Sequence, residues 1–232
     1  MIMTATFLRK LIPLLVIMMV AFLSTQAQYF GQNKVRYKNE KFNVLQTPHF
    51  ELYYYLKNEK MVKKFAEDAE TWYKMHQEIF RDTFLTKNPI ILYSNHPDFQ
   101  QTTALQGEIG IGTGGVTEAL KNRVIMPVME LNNQTRHVLG HELVHAFQYH
   151  ILLEKDSVGL EGVSQIPLWM IEGMAEYLSV GKVDAFTSMW MRDALLNRDI
   201  PSLKDLTNSN KYFPYRYGQA FWTLVQNACP YL

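Results

Sequence analysis

The stretch "RHVLGHELVHAFQYH", Arg136 to His150, sets four histidines, His137, His141, His145 and His150, along what reads as one helix. An α-helix advances about 100° and 1.5 Å per residue, so residues four apart share a face one turn from each other. His141 and His145 stand in that relation, and their imidazoles can grip a single metal ion. His137 lies on a similar face but about 12 Å along the axis from His145, too far to join that pair around one ion. His150, five residues beyond His145, points away. Glu142 is turned to the side of the pair, where it can touch a water on the metal without displacing it. Together "HELVH" fits the HExxH pattern of zinc hydrolases. Val138, Leu139, Val144, Ala146 and Phe147 surround it with apolar residues and seat it in a core.

Two histidines leave a catalytic zinc one protein ligand short. A histidine six residues after the motif, with a glycine three after it, is one known completion, but those positions hold Ile151 and Gln148. An upstream cysteine is another, and the only cysteine is Cys229. A carboxylate from a later helix remains. "PLWMIEGMAEYL" offers Glu172 and Glu176, four apart on one face, and the small Gly173 and Ala175 permit that helix to approach the histidine helix closely. Buried carboxylates beside Trp169, Met170, Met174 and Leu178 would need a partner or a cation.

Around this centre the chain reads as α+β: a small mixed sheet with an active-site helix, followed by a helical subdomain. "KFNVLQTPHFELYYY" has strand alternation at Phe50, Leu52 and Tyr54. Apolar residues at helical spacing, Met61, Phe65, Ala69, Trp72, Met75 and Ile79, predict a helix from Asn58 to about Phe80. "PIILYS" and "RVIMPV" are short strands on either side of the glycine loop "GEIGIGTGG". The histidine helix is expected from about Asn133 to Glu154. Pro167 can open the next helix and Gly181 close it. "DAFTSMWMRDALLN" and "YGQAFWTLVQNA" read as two more.

With 47% hydrophobic and 13% aromatic residues the chain is that of a folded protein, and its net charge of +1 gives no argument for nucleic acid. Arg9 and Lys10, the apolar run "LIPLLVIMMVAFL" and then "STQAQ" make residues 1–27 a secretory signal peptide, leaving 28–232 as the mature domain. The run is shorter than the ~20 residues of a membrane span, so no stable span is expected after cleavage. The protein is therefore expected outside the cytoplasm: periplasmic, secreted or at the cell surface. A single cysteine excludes an internal disulfide framework. The last helix stops at "CPYL" without a capping signal, which suggests truncation of a longer chain.

"HELVH" followed by Glu172 in "WMIEGMAEY" resembles the gluzincins, the zincin-fold zinc peptidases that include thermolysin and the aminopeptidase N family. The aminopeptidase motif Trp-Leu-Asn-Glu-Gly-Phe-Ala is similar to Trp169 through Ala175, with Ile171 in place of asparagine. The resemblance implies Zn2+ held by His141, His145 and Glu172, with Glu142 as general base. It also implies Glu176 as the carboxylate that orients a ligand histidine, and peptides or proteins as substrates. Tyr215, three residues before Gly218, is similar to the tyrosine that stabilises the oxyanion in those enzymes, and Tyr217 is its rival. "GGVTEALKNRVIMP", "GHELVHAFQ" and "YFPYRYGQAFW" resemble exported bacterial proteins with a peptidase-MA-like domain ahead of a TolB-like β-propeller, which implies such a propeller beyond residue 232.

Weaker signals surround the motif. Gly110, Gly112 and Gly115 form a GxGxxG pattern, but no strand immediately before and helix immediately after make it dinucleotide-binding. The loop reads instead as a mobile wall of a cleft. The strand "RVIMPV" is expected to pair with extended substrate. "GGVTE" is similar to the aminopeptidase amine-binding motif, although Glu118 is poorly suited to that role, and His96 can line the cleft or cap its strand. Two other readings are open: an inactive zincin-like domain serving as a structural or protein-binding module, and a metal-free interaction module.

Overall fold

The computed structural model describes residues 37–155 and 159–229, so residues 1–27, expected to be a signal peptide, and the final residues lie outside it. By internal contacts the chain divides into two units. One is residues 1–37 with 101–108; within it the Tyr37 amide donates to the Gln101 side-chain oxygen at 3.0 Å. The other, Lys38–Gln100 with Ile109–Leu232, contains the regular elements.

That unit is mixed α/β, with a five-stranded sheet in the order β1-β2-β3-β5-β4. The strands are β1 (Asn43–Gln46), β2 (Phe50–Tyr54), β3 (Asn88–Tyr93), β4 (Val116–Glu118) and β5 (Arg123–Pro127). β2, β3 and β5 run parallel, and the outer pairs β1–β2 and β4–β5 are antiparallel. The stretch that reads as one strand is a hairpin. Pro48 has no N–H to give a ladder, and the turn closes through the Thr47 amide on the Phe50 carbonyl at 3.0 Å. β5 is also not the edge expected for substrate pairing. It lies between β3 and β4, and the three-residue β4 forms that border.

Eight α-helices are described. α1 (Glu59–Phe80) is capped by Asn58, whose side chain accepts from the Met61 amide. Its buried stripe is Val62, Phe65, Ala69, Trp72, Tyr73 and His76, while Met61, Met75 and Ile79 face outward. Short α2 (His96–Gln100) follows β3. α3 (Asn132–Tyr149) carries the histidines and widens into a π-helical segment at His150–Lys155, where a continuous α-helix was expected. Then come α4 (Gly159–Gln165), α5 (Leu168–Val180), α6 (Ala185–Leu196), α7 (Leu203–Asn208) and α8 (Pro214–Ala228). α2, α4 and α7 are too short to show a helical period, although Ser202 and Asp205 form a capping box at α7. Among the described residues no helix is long and apolar enough to cross a membrane.

The core lies between the sheet and the helices α1 and α3. Phe50, Leu52, Ile90, Leu92, Val124 and Met126 meet Val62, Phe65 and Trp72, and Leu139, Leu143 and Phe147 complete the layer. Each fully buried side chain of this size contributes roughly 1.5–3 kcal/mol. One contact sets the height of α3. A Cβ on Gly140 would stand 2.6 Å from the Trp72 ring, so only glycine admits that indole. Trp72 Nε1 donates to the Arg136 carbonyl and His76 Nε2 to the Gly140 carbonyl, both at 3.0 Å. α1 thus grips the turn immediately before His141.

Candidate metal centre

Where α3 meets α5, three donor atoms converge. His141 Nε2 and His145 Nε2 are 3.1 Å apart, and each is 3.2 Å from Glu172 Oε2. Tetrahedral zinc with bonds of about 2.0–2.1 Å holds its ligand atoms about 3.3 Å apart, so the triangle has the size of one face of that tetrahedron. Two imidazole nitrogens and one carboxylate oxygen are also a donor set that suits zinc. His141 and His145 are buried. Burial by itself would raise the Glu172 carboxyl, but hydrogen bonds and charge from the two histidines hold it well below the usual range. Burial likewise opposes charge on His145, and Glu172 and then Glu142 override it and push the imidazole up. The cluster therefore favours a positive charge at its centre. The residues fit the metal.

The helix also prepares the ligands. Gln148, one turn beyond His145, accepts from His145 Nδ1–H at 2.8 Å and donates its own Nε2 to the Ile171 carbonyl at 3.3 Å. With the proton on Nδ1, the Nε2 lone pair faces His141 and Glu172. Glu176 stands on the other side of His141, its Oε1 4.0 Å from Nδ1, beyond a direct hydrogen bond. Its Oε2 pairs instead with His137 Nε2 at 3.1 Å and has Arg216 Nη1 at 3.8 Å. His137, His141 and Glu176 form a second group of possible ligands, but Arg216 already supplies a cation there. His150 lies apart from the centre, in a buried pair with Asp82 at 2.6 Å.

Glu142 is buried at the edge of this centre. The Thr117 hydroxyl lies 2.7 Å from its Oε2 and 2.9 Å from its backbone oxygen. A Cβ on Gly115 would meet the Glu142 side chain at 2.8 Å. Glu142 and His141 line a cavity of about 540 Å³ whose walls are Gly112–Gly115 on one side and Phe213, Tyr215 and Arg216 on the other. His96 secures the glycine wall by donating Nε2–H to the Thr113 carbonyl at 3.0 Å. Glu118 takes no part in the cavity; it pairs with Arg123 and Lys121.

Tyr215 enters the site from α8. Its ring stacks on His141 with centroids 5.8 Å apart, and burial, then the Glu172 carboxylate, push its hydroxyl far up. Tyr217 sits in an aromatic cluster with Tyr212 and Trp190, away from the cavity lining. The glycine that follows is what brings α8 in. A Cβ on Gly173 would stand 2.4 Å from Gly218 and one on Gly218 2.1 Å from the Trp169 carbonyl oxygen. Gly173 therefore serves the α5–α8 crossing, not the approach to the histidine helix that its small size suggests.

Gln148, Thr117, Gly140 and Arg216 are the contributors that sequence reading passes over, whereas Gly115 belongs to the glycine loop expected as a cleft wall, and Gly112–Gly115 do line the cavity. Of those passed over only Gln148 had a usable signal, its position three residues after His145 on the same helical face.

Residues 108–201 match the family model described as a peptidase of plants and bacteria. The match spans Thr117, "HELVH", Glu172 and Glu176 and ends before Tyr215, and it marks a peptidase-like domain over this under-half of the chain. No curated protein and no solved structure matches the chain.

Proposed function

We propose that the protein is an exported zinc-dependent peptidase of gluzincin type, built on a zincin-like fold. His141, His145 and Glu172 would hold the ion, and the observation that carries this is their triangle of donor atoms with sides of 3.1–3.2 Å. Bound zinc supplies Lewis acidity, polarising a carbonyl and making water deprotonable near neutral pH. Glu142 takes the proton of the attacking water on a carboxylate oxygen and passes it to the leaving amine nitrogen. The Tyr215 hydroxyl, kept protonated by burial and Glu172, donates to the oxyanion that forms on the former carbonyl. Gln148 keeps His145 in the tautomer that binds, while Glu176, 4.0 Å from His141 Nδ1, sets a negative charge beside that ring without a hydrogen bond to it. As the border strand, β4 presents its outward backbone groups to an extended peptide.

The test is metal content and peptide turnover for the wild-type protein and Glu142→Gln. About one equivalent of zinc in both, with turnover only in the wild type, is the expected result. Undiminished turnover in a folded, zinc-loaded Glu142→Gln protein would overturn the mechanism, and a zinc-free wild type would overturn the centre.

A further inference from the structure

The two oxygens of Glu142 have unlike surroundings. Oε2 meets the Thr117 hydroxyl at 2.7 Å, whereas among the described residues Oε1 has no hydrogen-bond partner. Oε1 lies instead over Gly115, where a Cβ would stand 2.9 Å from it. Thr117 and Gly115 belong to one short run of chain, the β4 strand and the residue before it, and they meet the same side chain two positions apart. Gly115 also lines the catalytic cavity.

We infer that this run of chain assigns the oxygens separate tasks: Thr117 anchors Oε2, and Gly115 leaves the room in which Oε1 carries the proton. The inference rests on Glu142 being the base. One proton moves from water to Oε1 and from Oε1 to the leaving nitrogen, and no electrons are exchanged. Thr117 suits the task because its hydroxyl has a second acceptor, the Glu142 backbone oxygen at 2.9 Å. Its proton can turn to that oxygen or to Oε2 as the carboxyl changes state, while its own oxygen stays in place. Thr117 is a positioning residue. It fixes the rotamer of the base and connects it to the strand along which substrate would lie, so substrate position and proton position are referred to one piece of backbone.

The experiment compares Thr117→Val, of the same shape without the hydroxyl, with Thr117→Ser, which restores it. A hydrogen bond to a charged group of this kind corresponds to about a 10- to 100-fold effect, so kcat of Thr117→Val should fall by that much. KM should change less than about twofold and zinc content should be unchanged, because neither substrate binding nor a ligand is removed. Thr117→Ser should recover most of kcat. Gly115→Ala, which places a methyl against Oε1, should also lower kcat with zinc retained. If Thr117→Val turns over like wild type while Glu142→Gln is inactive, the anchoring role is wrong and the base stands. If Glu142→Gln keeps turnover, the base reading itself fails. A crystal structure of Thr117→Val decides the geometry independently of activity: the Glu142 carboxylate should leave its present rotamer, and an unmoved carboxylate overturns the inference.

Discussion

Gln148 accepts from His145 Nδ1–H at 2.8 Å while donating to the Ile171 carbonyl, the residue before Glu172. One amide therefore holds a histidine of α3 and the backbone of α5 in register, and the donor triangle depends on that register. Replacing Gln148 by leucine removes both bonds without adding charge. Partners of ligand histidines are worth about 10- to 100-fold in metal affinity, and that loss is expected in a competition titration with a zinc chelator. Gln148→Glu keeps an acceptor for Nδ1–H and should retain most of the affinity. Equal zinc affinity in Gln148→Leu and wild type would remove Gln148 from the centre.

Tyr215 and Tyr217 are two residues apart on α8 and only the first reaches the cavity. Tyr215→Phe should lower kcat about 10²- to 10³-fold, the usual loss on removing an oxyanion donor, with zinc content preserved. Tyr217→Phe should leave kcat within a factor of about three, since its ring packs on Trp190 and Tyr212 and is not part of the cavity lining. Steady-state kinetics on one peptide substrate separates them, and the reverse order of effects would exchange their roles.

Local spacing is what makes the centre legible in sequence. His141 and His145 share a face because any helix places positions four apart together, and Glu172 and Glu176 stand out because carboxylates among tryptophan and methionine need a reason. Contacts between distant segments carry no such signature. Thr117 reaches Glu142 only because β4 runs along α3, and a three-residue strand is too short to display alternation. Met61, Met75 and Ile79 fit a helical period as well as the residues actually buried, so periodicity located α1 without telling which of its apolar residues face the core. Pro48 was a readable break in the first strand, since its missing N–H favours a turn. His150 illustrates the π-helical widening: a run that looks uniformly helical changes pitch where Asp82 captures the ring.

Gly173 shows the same division between residue and partner. Its smallness is visible in the sequence, but the helix it admits is α8, with Gly218 facing it. Gly173→Ala forces backbone apart at a contact of 2.4 Å, which no side-chain rotation relieves. Overpacking of this kind costs about 1–3 kcal/mol, measurable as a lower midpoint in urea denaturation. The displacement is carried by α8, so kcat should fall along with stability because Tyr215 moves off His141. Gly181→Ala, where a Cβ meets nothing but φ is 97°, should cost stability alone.

His76 gives the fold a pH dependence of definite sign. It is fully buried, stacked on Trp72, with Nε2–H donating to the Gly140 carbonyl. Burial lowers it from the ordinary 6.5 to about 4, the hydrogen bond opposing only in part. Above 6.5 neither the folded nor the unfolded chain protonates this ring, and it adds no slope. Between 6.5 and about 4 the unfolded chain binds a proton that the folded chain refuses, so stability falls as pH falls across that window. The full loss is roughly 3 kcal/mol. His76→Gln can still donate to Gly140 through its amide but does not titrate. Its denaturation free energy should be lower at pH 7, because the stack on Trp72 is lost, yet nearly flat where the wild type slopes. Subtracting the two profiles isolates His76 from the carboxylates that titrate at lower pH. Parallel profiles between pH 4.5 and 6.5 would mean that the folded protein protonates His76 as readily as the unfolded chain does.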